Sequence, residues 1–226
     1  HRLAHAQKEG WLADEVMTAF DSDEGRAYDH DDGVRPDNNM TSLAKLSPAF
    51  EKPYGKVTPG NSSQITDGAS WVIVASEAAV EEHDLKPLAR IVDSEWAGLD
   101  PSVMGLGPVL SATPLVTRNG LDLDSVGLWE LNEAFAAQVL SSIAAWDDPG
   151  FCRDVLGLDQ AFGLIDRDRL NVDGGAISLG HPVGTSGNRI VLHLANAMKR
   201  RGAGTGVATE CIGGGLGGAM LLEAVA

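Results

Sequence analysis

Apolar residues recur along this chain with two different periods, and their alternation predicts a layered α/β fold. Leu3, Ala6, Trp11, Leu12 and Val16 stand near helical spacing and predict a helix over residues 1–16. Residues 69–75, Ala-Ser-Trp-Val-Ile-Val-Ala, form a continuous apolar run of strand length, fit for a strand buried on both faces. Ser76 then caps a helix running to about residue 83, with Glu77 in its first turn. Strands are expected over 88–94 and 126–131, and helices over 111–119 and 133–146. A longer helix over 185–201 ends in Lys199-Arg-Arg201 before Gly202, which suits the helix dipole and a glycine C-cap. Two strands, 206–212 and 218–224, close the chain. Strands alternating with helices imply a layered α/β domain. There is no short internal repeat and no low-complexity tract.

The regular pattern is preceded by a different stretch, residues 21–59. Asp21, Asp23, Glu24, Asp29, Asp31 and Asp32 make it acidic and solvated, and Pro36, Pro48, Pro53 and Pro59 break regular structure. A short helix fits residues 41–45. Leu43, Leu46, Phe50 and Tyr54 favour an ordered, loop-rich subdomain over a linker. The length of 226 residues suffices for one or two domains, and the 43% apolar and 22% charged residues are ordinary for a globular protein. A formal net charge of −15 argues against a general nucleic-acid surface, which needs a basic face. No apolar run approaches the roughly 20 residues of a membrane span, and no signal-peptide pattern opens the chain, which begins at His1. Two cysteines, Cys152 and Cys211, make no disulfide framework and fit a reducing compartment, the cytoplasm of a prokaryote or an organelle matrix.

Chemistry concentrates in Asn171-Val-Asp-Gly-Gly-Ala-Ile-Ser-Leu-Gly-His181-Pro-Val-Gly-Thr-Ser-Gly187 and in Cys211-Ile-Gly-Gly-Gly215. An imidazole and a thiol stand there in glycine-rich turns, where backbone amides approach a ligand closely and point at an oxyanion. His181 lies just before a helix whose N-terminal end is positive, a setting for a thioester oxygen, a phosphate or a thiolate. His5, His30, His83 and His193 lack such surroundings and read as structural or surface residues. Asn132-Glu133 falls where a strand turns into a helix. It is either a helix start, with Asn132 as N-cap and Glu133 as a first-turn acid, or an amide that holds a water or a carbonyl at the carboxyl end of a strand. Cys211, His181 and Asn132 are also the ingredients of a cysteine hydrolase. A zinc site from His181, Cys211 and Cys152 is weaker, because no pair has ligand spacing. The glycine runs form neither a P-loop nor a dinucleotide fingerprint, since no Gly-Lys-Ser/Thr follows and a strand stands where a helix is required.

Together with Asn132-Glu-Ala-Phe135, these blocks resemble the thiolases, acyl-CoA acetyltransferases, over essentially the whole chain. Gly60-Asn-Ser-Ser63-Gln-Ile-Thr-Asp67-Gly-Ala and Asp100-Pro-Ser-Val-Met104-Gly-Leu-Gly-Pro108 complete five motifs in the family's order. The resemblance implies a layered α-β-α-β-α architecture with mixed five-stranded sheets, here lacking most of the N-terminal core. Residues 1–66 would belong to a CoA-facing loop domain, 67–87 would end the N-terminal core, and 88–226 would form the C-terminal core. The activity implied is thiolytic cleavage of a 3-ketoacyl-CoA, or the reverse Claisen condensation, through an acyl-cysteine. Carried over by position, His181 would activate the nucleophilic cysteine and Cys211 would be the acid-base. Asn132 would orient a water in one oxyanion site, and the amide of Gly213 would contribute to a second. Ser63, Ala134 and Phe135 would contact the pantetheine of CoA, a substrate rather than a tightly bound cofactor, and no metal is implied. The closest look is to the trifunctional fatty-acid oxidation type, although Asn132 stands where many of that type carry histidine. A homodimer or homotetramer would be the assembly. The nucleophile's own motif has no match here, and Cys152 does not resemble it, so that cysteine is expected upstream of this chain. The alternatives are a scaffold that binds acyl-CoA without catalysis, a cysteine hydrolase or a related condensing enzyme. Glu210, beside Cys211, would raise the thiol's pKa if it pointed inward, but strand parity turns it to the opposite face.

Overall fold

The structure, a computed structural model, describes residues 1–225. Along the chain come helix α1 (Arg2–Lys8), strands β1 (Ala19–Asp21) and β2 (Arg26–Tyr28), and helices α2 (Met40–Leu43) and α3 (Glu77–Glu82). Strand β3 (Ala89–Gly98) leads through a 3₁₀ segment (Pro101–Leu106) into α4 (Gly107–Arg118) and β4 (Leu128–Leu131). Helices α5 (Ala136–Asp147), α6 (Pro149–Leu156), α7 (Ala176–Leu179) and α8 (Val183–Arg201) follow, and β5 (Thr205–Ile212) and β6 (Leu216–Ala224) close the series. They form two compact units. One comprises His1–Asp67, Glu133–Ala136 and Asp173–Pro182; the other comprises Gly68–Asn132, Ala137–Val172 and Val183–Ala226.

The first unit is poor in regular structure. Its small core is Leu3, Ala6 and Leu12, with Trp11, Val16, Val34 and Leu179 packed against them. The helix expected over 1–16 ends at Lys8. Gly10 takes a left-handed conformation with φ 71°, Gly10 N donates to Gln7 O and Trp11 N donates to Ala6 O, which is a Schellman stop. The apolar spacing beyond it is met by a turn that returns Trp11 and Leu12 to the same cluster. The acidic stretch contains an antiparallel pairing of β1 with β2, which its charge had concealed. α2 begins with a capping box between Asn39 and Ser42.

The second unit is a mixed sheet covered by helices on both faces. Strand order is β3-β6-β5-β4, with β6 antiparallel to β3 and β5, and β4 parallel to β5. This is four strands among the described residues rather than five; the fifth position holds a single parallel bridge from Leu170 to Trp129. Alternation along each strand sends side chains to two cores. Trp129, Leu131, Val207, Ala219 and Leu221 pack with Val109, Leu115, Val116 and Trp146, while Leu128, Ala208 and Leu222 pack with Ile190, Leu194 and Met198 of α8. Each such side chain stabilises the fold by about 1.5–3 kcal/mol when fully buried. Trp146 keeps its polar end satisfied, its Nε1 donating to Thr113 Oγ1 at 3.0 Å.

Several boundaries move. α4 starts at Gly107 and not at 111, because Pro108 fits the first turn of a helix. α6 is an addition to the sequence reading, capped by Asp148, which accepts from Gly150 N and Phe151 N, with Pro149 at its first position. The largest correction concerns residues 69–75. They form no strand: Ile73 is 81% and Val74 73% exposed. A strand exists only by pairing, and no strand among the described residues runs beside this segment. Side chains of α8 bond it and the residue before it, Asn188 Nδ2 donating to Ser70 Oγ at 2.7 Å and Thr185 Oγ1 to Gly68 O at 2.6 Å. Ser76 does cap α3, accepting from Ala79 N.

Candidate active site

Three of the predicted residues gather at the ends of two adjacent parallel strands. Asn132 follows the last residue of β4, and its N donates to Thr209 O of β5 at 2.9 Å. Two residues beyond Thr209 stands Cys211, buried like Asn132. Gly213 opens the turn between β5 and β6; it is exposed, and open space lies where a side chain would project. The carboxyl ends of parallel strands are where α/β sheets bind ligands.

Burial pushes the Cys211 thiol up to about 11, with a smaller contribution from the negative charge of Glu210. The thiol is therefore protonated at neutral pH. Glu210 faces the other way, as strand parity requires: its carboxylate lies against Gly187 of α8, where an added Cβ would be 2.5 Å from Oε1. Burial raises the Glu210 carboxyl, and the positive charge of Arg189 works against that rise.

His181 belongs to the other unit, in the turn after α7. Its N donates to Gln64 O at 3.0 Å. Gly180, which ends α7, has φ 100°, and a Cβ there would lie 2.3 Å from Thr66 Cγ2. Only glycine meets both conditions, so the turn that carries the imidazole is moulded on the segment from Gln64 to Thr66. In the same unit Ser63, Ala134 and Phe135 share one antiparallel contact. Ser63 N donates to Ala134 O at 3.0 Å, Ser62 bridges Phe135, and Ala136 N donates to Asn61 O at 2.9 Å.

Two expectations are corrected here. α5 begins at Ala136, so Asn132 is not its N-cap and Glu133 is not in its first turn. Glu133 serves α7 instead, its Oε2 accepting from Ile177 N at 3.3 Å. The competing backbone contact with residues 61–63 extends 133–135 and delays the helix. Cys152 is buried in α6, its Sγ donating toward Ala145 O and Trp146 O, each at 3.4 Å. No group of three or more His, Cys, Asp or Glu side chains among the described residues is placed to hold a metal ion.

Asn171 carries a part that the sequence reading did not assign. It is buried, has φ 46°, and bonds both backbone groups of Leu131. The available signal was its residue type, since asparagine tolerates left-handed backbone better than most residues.

Comparison with known proteins bears on the family and the fold. The family model described as the thiolase N-terminal domain matches residues 1–78, and that of the thiolase C-terminal domain matches residues 85–224. The 3-ketoacyl-CoA thiolase of Aliivibrio fischeri (strain MJ11) is 40% identical over 225 residues, covering 99% of this chain and 51% of the relative. Human mitochondrial 3-ketoacyl-CoA thiolase, solved in complex with CoA, superposes with a TM-score of 0.87 at 39% identity, over 99% of this chain and 52% of that one. The acetyl-CoA acetyltransferase of Bacillus anthracis gives a TM-score of 0.85 at 36% identity, over 99% and 53%. The chain spans about half the length of the curated relatives it matches. With two family models in tandem, a shared fold and 39–40% identity along 99% of its length, this chain belongs to the thiolase family.

Proposed function

We propose that the protein carrying this chain is an acyl-CoA C-acyltransferase that cleaves a 3-ketoacyl-CoA with CoA, or runs the reverse Claisen condensation. The observation that carries this reading is the set at the strand ends: a buried thiol at Cys211, open space beside the exposed Gly213, and Asn132 one strand away. In cleavage, a cysteine upstream of this chain attacks the 3-keto carbon, and His181 takes its proton. The bond between C2 and C3 breaks, and its electron pair passes to C2 of the leaving acetyl-CoA, which Cys211 protonates. Cys211, left as a thiolate, takes the proton of the CoA thiol as the CoA sulfur attacks the acyl-cysteine; the shortened acyl-CoA leaves, and the departing cysteine recovers its proton from His181. Asn132, through a water, and the amide of Gly213 stabilise negative charge on the carbonyl oxygens. Ser63, Ala134 and Phe135, joined by one backbone contact, line the path of the pantetheine.

Residues 1–66 then act as the CoA-facing loop domain, 67–87 complete the N-terminal core, and 88–226 form the C-terminal core. The assembly is a homodimer or homotetramer. Two free cysteines suit a reducing compartment, the cytoplasm of a prokaryote or an organelle matrix, and no helix among the described residues is long and apolar enough to cross a membrane. The test is turnover of acetoacetyl-CoA and longer 3-ketoacyl-CoA substrates with CoA by the complete polypeptide. Cys211→Ala should lower kcat by about 10²–10⁴-fold at unchanged melting temperature, and His181→Ala should slow alkylation of the upstream cysteine. Binding of acyl-CoA without any turnover would make this a non-catalytic scaffold. Near-normal turnover by Cys211→Ala would remove its acid-base role.

A further inference from the structure

Asn171 stands where a chain segment leaves the edge of the sheet. Just before it, residues 169–171 run beside β4: Trp129 N donates to Arg169 O at 2.8 Å, and Asn171 N donates to Trp129 O at 2.9 Å. A regular edge strand would continue and bond Leu131 with its own backbone. Asn171 instead adopts a left-handed conformation, φ 46°, and the chain turns off the sheet. Its side chain, 5% exposed, takes over the missing strand's work. Oδ1 accepts from Leu131 N at 2.8 Å, and Nδ2 donates to Leu131 O at 2.9 Å. The orientation of the amide is fixed, because the Leu131 N–H can only donate and its carbonyl can only accept.

Leu131 is the last residue of β4, and Asn132 follows it. On the opposite edge Leu131 pairs with Thr209, and Asn132 N donates to Thr209 O. The strand end is thus held from both sides, on one side by a neighbouring strand and on the other by a single side chain. Asparagine suits that position on two counts. It tolerates the left-handed backbone, and it presents a donor and an acceptor side by side. Aspartate lacks the donor and would set a carboxylate against a carbonyl; glycine keeps the backbone and loses both bonds.

We infer that Asn171 is a positioning residue for the proposed reaction: through Leu131 its amide fixes the backbone from which Asn132 orients the oxyanion-site water. The inference rests on the role proposed for Asn132, and its test separates the two. In the complete polypeptide, kcat and KM are measured for wild type, Asn171→Gly, Asn171→Asp, Asn132→Ala and the double variants. Asn171→Gly and Asn171→Asp should each lower kcat about 10–100-fold, because displacement on the ångström scale is enough to disturb a reacting geometry. KM should change little, since the substrate's remote contacts are untouched. In the Asn132→Ala background the same changes at position 171 should cost less than about twofold, because what they disturb is already gone. Penalties that multiply, or wild-type kcat in Asn171→Gly, would overturn the inference. A wild-type protein without turnover would sink the thiolase reading instead. Amide hydrogen exchange at Leu131 then decides the placement: it should speed up in Asn171→Gly, and an unchanged rate would overturn the proposed clamp whatever the activity.

Discussion

Burial makes the Cys211 thiol hold its proton to higher pH than an ordinary thiol, and the adjacent Glu210 charge adds to the effect from the far face of β5. A resting thiol is the correct form for delivering a proton to an acetyl carbanion; a resting thiolate would be the form for removing one. The pH dependence has a definite sign. The folded-state pKa lies above the ordinary value of 9.0, so alkylation of Cys211 should keep rising with pH toward about 11. The matching stability contribution is present below pH 9.0 and fades as pH climbs through about 11, because the unfolded chain gives up that proton first. Glu210→Gln removes one of the two causes and should move the alkylation profile to lower pH, followed by mass spectrometry of the peptide containing Cys211. An unmoved profile would leave burial as the sole cause. A histidine in a glycine-rich turn and a cysteine at the strand end before one were legible in the sequence, since only small residues leave such room. The tasks of Glu133 and Asn171 were not, because each acts on a backbone distant in the chain, Ile177 N in one case and Leu131 in the other.

Elements obey their neighbours as much as their own composition. Residues 69–75 have the composition of a central strand and yet lie unpaired, with Trp71, Ile73 and Val74 more than half exposed. We expect the remainder of the N-terminal core to cover this segment in the complete polypeptide. Ile73→Lys should then change the stability of the 226-residue chain by about 0.5 kcal/mol or less. The same substitution should cost about 3 kcal/mol where the segment is covered, because a charge is then buried without a partner. Equal effects in both, measured by denaturant unfolding, would refute the covering. At one edge of the sheet, β3 carries a bulge between Ile91 and Asp93, and the end of α4 holds it. Arg118 donates to Asp93 and Glu95 and, at 2.8 Å, to Ser94 O, while Asn119 Nδ2 bonds Asp93 at 2.8 Å. The Arg118 guanidinium, followed by the Asn119 amide, holds the Asp93 carboxyl well below its ordinary 3.8. This support is complete above that value and fades as pH falls through the lowered one. Arg118→Ala should accelerate amide exchange along β3 at neutral pH and leave β5 protected; uniform protection would show that β6 alone secures the edge.

At the scale of the molecule, the two compact units draw on segments far apart in sequence. Glu133–Ala136 and Asp173–Pro182 leave the sheet-bearing unit and join the first 67 residues. Cys211, Asn132 and Gly213 lie in one unit, and His181, Ser63, Ala134 and Phe135 in the other. On the proposal that the nucleophile lies upstream, the 226-residue chain alone should give no turnover, and adding the proposed upstream half as a separate polypeptide should restore it. Turnover by the chain alone would require a nucleophile within it. The sequence by itself determined the alternation of strands and helices, the stops at glycine and proline, and the family to which the five motifs belong. Those follow from side-chain size, charge and backbone freedom, which act over a few residues. Only the tertiary structure decided that an apolar run would remain unpaired, that α5 would begin three residues late, and that an asparagine side chain would complete a strand. Each of these depends on which hydrogen-bonding partner stands opposite, and that partner is set by the packing of residues remote along the chain.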